Sequence, residues 1–197
     1  MATELTGRQL REVLNALGAV LYARDQHYEV VLVGGGSLLL RGLVKRPTRD
    51  ADVVGEIRSG RLSRVRELPD PLRRAVHEVA LTYALADDWL NVGPESLLDL
   101  GLPAGFEDRL TREDFSGLVV WVAGRYDLIC LKLYAAADHW PSVGRHLQDL
   151  VALQPTQSEL LEAATWARSH DPSPGFRSLI VGVLLYLGME DADRELS

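Results

Sequence analysis

The sequence predicts an α+β fold with an α/β-like core, in which a small mixed sheet is flanked by helices. Two short, continuous apolar runs rich in β-branched residues indicate strands buried on both faces, Val30–Val33 and Leu118–Val122. Apolar residues at helical spacing surround them, as over residues 6–24. We therefore predict a core over residues 1–124 and a helical C-terminal region, residues 125–197, packed on that core.

The other elements follow from local patterns. Thr6 is expected to cap the first helix, and Pro71 stands in the first turn of a helix from Asp70 to Leu85. Residues 53–69 are expected to be a polar, Arg-rich connection once the second strand ends. Residues 88–114 are predicted to be mostly loop, with a short strand at Trp89–Asn91, and the acidic tail to be solvated. The C-terminal helices are predicted at residues 125–140, 145–153, 159–169 and 174–189.

The stretch with the most chemistry is VVLVGGGSLLLRGLVKRPTRDADVV, residues 30–54. Glycines let a ligand approach the backbone, and the N–H groups that open the next helix can receive a phosphate, which points to Gly35, Gly36 and Ser37. Asp50 and Asp52 lie two apart, so on a strand they share one face, about 7 Å apart. Their oxygens suit a hard cation such as Mg²⁺ or Mn²⁺. A phosphate cradle followed by a metal-binding Asp-x-Asp favours nucleotidyl transfer from a nucleoside triphosphate.

Each half of this stretch has a simpler interpretation. A glycine triplet after a strand is most often a tight turn, and an Asp-x-Asp is usually a solvated strand end. The glycines are not a Walker loop, because no Gly-Lys-Ser/Thr follows, and they lack the spacing of a dinucleotide fingerprint. The two halves together, across one strand–helix–strand unit, favour the functional interpretation.

Two blocks of residues resemble the signature of the nucleotidyltransferase-fold toxins of the AbiEii/MenT type. The first block comprises Val33-Gly34-Gly35, Leu38–Leu40, Gly42 and Arg46-x-Thr48-x-Asp50-x-Asp52. The second comprises Lys132-Leu133-x-Ala135 and Arg145-x-x-x-Asp149-Leu150-x-x-Leu153. The chain departs from the pattern in two places. His146 stands where the family commonly has an extra Asp, and Leu118–Val122 carries no third carboxylate.

The resemblance implies a nucleotidyltransferase core over residues 1–124, with a metal ion on Asp50 and Asp52. It also implies a cytoplasmic toxin that adds nucleotides, typically pyrimidines, to the 3′ end of tRNA and so blocks aminoacylation and translation. A cognate antitoxin would accompany it. Some antitoxins of that family are kinases that phosphorylate a Ser or Thr at the position matching Thr48. Arg46 would then contribute to nucleotide binding.

Lys132 and Asp149 are the predicted site residues of the C-terminal region. Arg125, Lys132 and His139 share one helix face, which could be a charged solvent stripe. The apolar neighbours of Lys132 instead indicate that it has a partner, for which a triphosphate is suitable. Asp149 could orient Lys132, ligate metal or act as general base for the acceptor hydroxyl. It could also form a surface ion pair with Arg145, one turn away.

The net charge of −7 is unevenly distributed, because residues 41–74 hold ten basic and five acidic side chains. That segment carries +5 and the rest of the chain −12. Charge runs are usually solvated faces, but this one flanks the predicted site and favours a polyanion such as the acceptor end of tRNA. Two alternatives stay open, namely transfer to a small molecule or a protein, and a silent nucleotide-binding or protein-binding module.

The composition, with 47% hydrophobic and 25% charged residues, is that of an ordinary globular protein. Cys130 is the only cysteine, so no disulfide forms within the chain and a reducing cytoplasm fits. The sequence opens without a secretory pattern, and the apolar run Leu179–Gly188 is too short to span a bilayer. We expect a cytoplasmic monomer with no membrane partner.

Overall fold

The computed structural model describes residues 3–196, which form two compact units. The first unit ends at Gly124 and the second begins at Arg125. Within the described residues, none of the helices combines the length and apolar character that crossing a membrane requires.

The first unit is built around one mixed sheet of six strands, whose order is β3-β2-β1-β6-β5, with β4 pairing β2. β1 runs antiparallel to β2 and parallel to β6, so the predicted α+β class and the mixed sheet are confirmed. The strands are β1 (Tyr28–Val33), β2 (Ala51–Arg58), β3 (Arg61–Ser63), β4 (Leu90–Asn91), β5 (Thr111–Phe115) and β6 (Leu118–Val122).

Helices flank this sheet. They are α1 (Gly7–Tyr22), α2 (Gly34–Leu40), α3 (Asp70–Tyr83) and α4 (Leu97–Leu100). Thr6 caps α1 as predicted, and its hydroxyl is part of a capping box with Gln9. The apolar stripe of α1 is buried and packs on β5, β6 and α3.

Two strands lie where the sequence predicts loop or polar connection. β5 has the sequence TREDF and exposes most of its side chains. An edge strand that pairs on one side only does not need an apolar pattern, so β5 could not be predicted from its polar sequence. β3 follows a two-residue turn in which Ser59 and Gly60 both have positive φ, 50° and 75°. That geometry is the type I′ hairpin turn, and Ser-Gly was its signal in the sequence.

β2 contains a bulge that decides which face its acidic side chains occupy. Val31 pairs with Gly55 and Leu32 pairs with Val53, so Val54 is an extra residue. Glu56 pairs with Val30, whereas Asp52 pairs with Val33, three residues further along β1. Residues an odd number apart on a strand point to opposite faces. Glu56 and Asp52 therefore lie on opposite faces of the sheet.

The second unit is helical and is arranged around its first helix, α5, which packs against α6, α7 and α8. Arg125 at the start of α5 donates to the carbonyl oxygen of Leu153, 2.8 Å away, and so bonds an otherwise unpaired carbonyl at the end of α6. The acidic side chains of the tail are exposed, as predicted, while the tail also forms a last helix with Ala192 and Leu196 buried. The helices are α5 (Arg125–Asp138), α6 (Arg145–Leu153), α7 (Gln157–His170), α8 (Pro174–Tyr186) and α9 (Ala192–Glu195).

Candidate active site

The glycine triplet and the two aspartates come together because β1 and β2 are neighbours in the sheet. Val33, the last residue of β1, pairs directly with Asp52, the second residue of β2. α2 begins at the next residue, Gly34, so the turn into α2 lies beside the aspartates. The sequence predicted this association from spacing alone.

Gly34 makes the closest approach. Its backbone has φ +70°, and a Cβ built on it would overlap Oδ2 of Asp52. Glycine is therefore required here for two independent reasons, the left-handed conformation and the space that the carboxylate occupies. The carboxylate of Asp52 packs directly on the bare backbone of the turn.

Gly35 and Gly36 pack against the rest of the same segment. A Cβ on Gly35 would lie 3.0 Å from Oγ1 of Thr48 and 3.5 Å from Nη2 of Arg46. A Cβ on Gly36 would lie 3.4 Å from Cα of Ala51. The guanidinium of Arg46 is thus adjacent to the glycines that the sequence assigned to phosphate binding.

Ser37 stands differently from the glycines. Its side chain is completely buried, and its hydroxyl has no hydrogen-bond partner among the described residues. A phosphate could meet this hydroxyl only after the surrounding chain moved, so its predicted role in nucleotide binding stays a prediction.

Thr48 is bonded to the first aspartate. Its hydroxyl donates to Oδ1 of Asp50 across 3.1 Å, which places the hydroxyl beside the carboxylate as predicted from the spacing of two. The Thr48 side chain is 1% exposed. Its backbone is paired in both directions with Leu5, the N–H groups donating across 2.6 and 2.9 Å. Thr48 is held in place by the N-terminal segment.

Asn91 contacts the second aspartate, and the sequence did not predict this residue. β4 pairs with β2 in parallel, which sets Asn91 opposite Asp52. The Asn91 Nδ2 group donates to Oδ1 of Asp52 across 3.4 Å. The signal was only the short strand predicted at Trp89–Asn91, and its pairing partner could not be read from the sequence.

The two aspartates suit a divalent cation, although two carboxylates alone are fewer ligands than such an ion takes. Both are partly exposed, and no cluster of three or more His, Cys, Asp or Glu side chains able to hold a metal occurs between residues 3 and 196. Glu56 cannot complete such a cluster, because the bulge turns it to the opposite face. Mg²⁺ commonly takes one or two carboxylates and completes its octahedron with phosphates and water. The donor set therefore fits Mg²⁺ that arrives with a triphosphate.

Lys132 and Asp149 form a buried ion pair in the second unit. The Lys132 Nζ atom lies 2.8 Å from Oδ2 of Asp149, with 7% and 1% of the side chains exposed. Two open interpretations are thereby resolved. Lys132 is not part of a solvent stripe, and Asp149 is not part of a surface pair with Arg145. The desolvation of such a buried ion pair offsets much of its electrostatic attraction, so a gain in stability does not by itself explain why the pair is there.

Several basic side chains of the basic segment, residues 41–74, are already bonded to other groups of the protein. Arg41 is bonded inside the first unit, where it donates to the carbonyl oxygens of Val122 and Ala123. Other arginines of the segment pair with acids. These pairs are Arg49 with Glu4, Arg58 with Glu56, Arg64 with Glu95 and Asp99, and Arg73 with Asp70. The hydrogen bond from Arg64 lowers the pKa of Asp99. Much of the local positive charge is therefore neutralised within the protein.

A cavity of about 850 Å³ lies elsewhere in the first unit, beside β3. Its lining includes Leu62, Leu98 and Phe106, together with the charged Arg61 and Glu107. None of the predicted site residues lines it, so it does not contribute to the candidate site.

Comparison with known proteins gives one match. Residues 8–141, about two thirds of the chain, match the family described as "Nucleotidyltransferase of unknown function (DUF6036)". The matched region includes the glycines, both aspartates and Lys132, and it ends before Asp149. The mixed sheet with flanking helices is consistent with the nucleotidyltransferase fold. No curated protein and no solved structure matches the chain.

Proposed function

This chain belongs to the DUF6036 family of nucleotidyltransferases, and we propose that it transfers a nucleotide from a nucleoside triphosphate to an acceptor hydroxyl. The observation that carries this proposal is the packing of the Asp52 carboxylate on Gly34. A tight structural turn needs glycine for its backbone angle, but it does not need a carboxylate against that glycine. A site that binds a phosphate and its cation together needs both.

The proposed chemistry is a displacement at the α-phosphorus. The acceptor hydroxyl oxygen bonds to that phosphorus, its proton passes to water, and the bond to the α–β bridging oxygen breaks, so that pyrophosphate leaves with the electron pair. A Mg²⁺ ion on Asp50 and Asp52 would neutralise the triphosphate and favour pyrophosphate as the leaving group. The backbone of Gly35 and Gly36 and the guanidinium of Arg46 bind phosphate oxygens. Their contribution is positioning and electrostatics rather than covalent chemistry.

Lys132 and Asp149 have paired roles in this proposal. Lys132 balances negative charge on the β- and γ-phosphates, and Asp149 holds the Lys132 ammonium group in a fixed position. Their ion pair supports these roles, because desolvation offsets most of the attraction in a buried pair and stability alone is a weak reason to have one.

We propose that the acceptor is the 3′ end of tRNA and that the protein is the toxin of a toxin–antitoxin system. The support is the resemblance of the two sequence blocks to AbiEii/MenT toxins and the basic segment beside the aspartates. Addition of pyrimidines to that end would block aminoacylation and thereby translation. A cognate antitoxin would restrain the enzyme.

Regulation through Thr48 forms part of the same proposal. A phosphate on the Thr48 hydroxyl would add about −1.5 to −2 charges beside Asp50 and the glycines, where a triphosphate must enter. Because Thr48 is 1% exposed and its backbone is paired with Leu5, a kinase antitoxin must first open that pairing.

A second candidate is transfer to a small molecule or a protein. The ion pairs of Arg58, Arg64 and Arg73 favour it, since they leave less positive charge for a long polyanion. A silent binding module has no such support, because both aspartates are present and partly exposed.

One experiment tests the proposed activity and separates the acceptors. Purified protein is incubated with total tRNA and, in turn, each labelled nucleoside triphosphate, with Mg²⁺ or with EDTA. We expect label in the tRNA band only with Mg²⁺, and none with Asp50→Ala or Asp52→Ala protein that retains its circular dichroism spectrum. Full activity of either variant would remove the metal site from the proposal. Label in a small product, rather than in tRNA, would establish the second candidate.

A further inference from the structure

The two oxygens of the Asp52 carboxylate have different neighbours. Oδ2 packs on Gly34, where no side chain intervenes. Oδ1 accepts a hydrogen bond from Nδ2 of Asn91, 3.4 Å away. The carboxylate is therefore held from both sides, by the turn that follows β1 and by the end of β4.

The direction of the Asn91 amide follows from its other contact. Its Oδ1 atom accepts a hydrogen bond from the Gly93 N–H, 2.8 Å away. Only the carbonyl end of an amide can accept from an N–H group, so the NH₂ end must face Asp52. With the amide reversed, a carbonyl would face the carboxylate and an NH₂ would face an N–H, and both contacts would be repulsive.

We propose that Asn91 is a positioning residue, which keeps the Asp52 carboxylate in the rotation that a divalent cation requires. This inference rests on the proposed function. An aspartate on a strand can otherwise turn its carboxylate about the terminal bond, since that torsion is broad. Partners that orient a metal ligand from behind typically contribute 10- to 100-fold to metal affinity or activity.

Gly93 offers a second way to disturb the same contact. A Cβ on Gly93 would lie 2.9 Å from Oδ1 of Asn91, which is too close, and the amide must then move. Gly93→Ala thus displaces the amide without removing it, whereas Asn91→Ala removes it. The matched control is Asn15→Ala, because Asn15 is an exposed asparagine on α1 whose amide donates to the carbonyl oxygen of Arg11.

The test measures Mn²⁺ binding to the full chain by electron paramagnetic resonance, with melting temperature recorded for each variant. We expect about tenfold weaker Mn²⁺ binding in Asn91→Ala and Gly93→Ala, and wild-type binding in Asn15→Ala. Activity should show a lower kcat with a smaller change in KM. Wild-type affinity in Asn91→Ala, whatever the result for Gly93→Ala, would overturn the inference.

A metal-free measurement checks the contact itself. The side-chain NH₂ resonances of Asn91 should shift in Asp52→Ala protein, while those of Asn15 should not. Unshifted Asn91 resonances would also overturn the inference. The two levels of failure are distinct. A wild-type chain that binds no Mn²⁺ would refute the proposed metal site and this role with it. Loss of binding in Asp52→Ala but not in Asn91→Ala would refute the role alone.

Discussion

The Lys132 ammonium group lies 2.8 Å from the Asp149 carboxylate, and both side chains are almost completely withdrawn from water. Removal of one partner leaves the other charge buried and uncompensated. We expect Lys132→Met or Asp149→Asn to lower the free energy of unfolding by about 3–5 kcal/mol, and the double variant to lose less than the sum. Urea unfolding of the four proteins measures this cycle.

The same variants separate structure from catalysis. If Lys132 neutralises the triphosphate, the double variant should regain stability without regaining nucleotidyl transfer. Recovery of both together would show that the pair is purely structural.

Replacement of Gly34 should impair activity more than its effect on stability would indicate. Gly34→Ala and Gly42→Ala both place a side chain at positive φ, +70° and +68°, and each should cost about 1–2 kcal/mol. Only at Gly34 would the new Cβ displace Asp52, because nothing lies within 4 Å at Gly42. We expect kcat/KM to fall about 100-fold in Gly34→Ala alone. Equal activity of the two variants would contradict the packing argument.

Thr48 provides a test of the proposed switch. Thr48→Glu should abolish transfer, because its charge lies beside Asp50. Thr48→Val removes only the hydrogen bond to Asp50, a loss of about 1 kcal/mol, and should keep measurable activity. Intact mass after co-expression with the cognate antitoxin tests for a phosphate. The switch would be unsupported if Thr48→Glu were active and if wild-type protein gained no phosphate mass that is missing from Thr48→Val.

The salt dependence of tRNA binding tests whether the basic segment contacts a polyanion. Replacement of Arg58, Arg61 and Arg64 together should flatten it, because each phosphate that a side chain neutralises releases counterions. Since Arg58 and Arg64 are paired with acids, most of the change should come from Arg61, which is exposed.

Filter binding of labelled tRNA at several salt concentrations can compare Arg61→Ser/Arg66→Ser with Arg58→Ser/Arg64→Ser. The first double variant should reduce the slope by about 2, one for each lost phosphate contact, and the second by less. Equal, unreduced slopes in both would place the polyanion elsewhere.

The pH dependence of stability should involve Glu159 in the second unit. Burial raises the pKa of Glu159, but the bonds from Thr156 and Arg125 outweigh it, so the pKa lies below its usual value. Such a carboxylate contributes stability above its unfolded pKa of about 4.3, and this is lost as pH falls through the lower folded value. As the pH is lowered from about 5 to about 3, the melting temperature of Glu159→Gln should fall less than that of wild type. Glu162→Gln, an exposed change on the same helix, is the control.

The sequence was most informative where one local pattern sufficed. Val30–Val33 and Leu118–Val122 could be predicted because central strands buried on both faces are continuously apolar. The glycine triplet and Asp-x-Asp could be associated because the connection between their strands is short. TREDF could not be recognised as a strand, because an edge strand can carry polar side chains on both faces.

The contact between Asn91 and Asp52 was beyond reach for another reason. The two residues are 39 positions apart, and their contact exists only because a two-residue strand pairs with β2. Nothing in the local sequence around Asn91 specifies that partner. Likewise, the pairing of Lys132 with Asp149 required the packing of α5 on α6, although the apolar neighbours of Lys132 indicated that it has a partner.

The single extra residue in β2 determines which acids share a face of the sheet. Deletion of Val54 would leave Asp52 opposite Val33 and Glu56 opposite Val30, so the two acids would stay on opposite faces. Insertion of one residue into β1 between Val31 and Leu32, opposite Val54, would instead restore strict alternation in both strands, and the carboxylate of Glu56 would turn to the side of Asp52. The charge on that face of the sheet can therefore be changed by one inserted residue, with no substitution of any side chain in the candidate site.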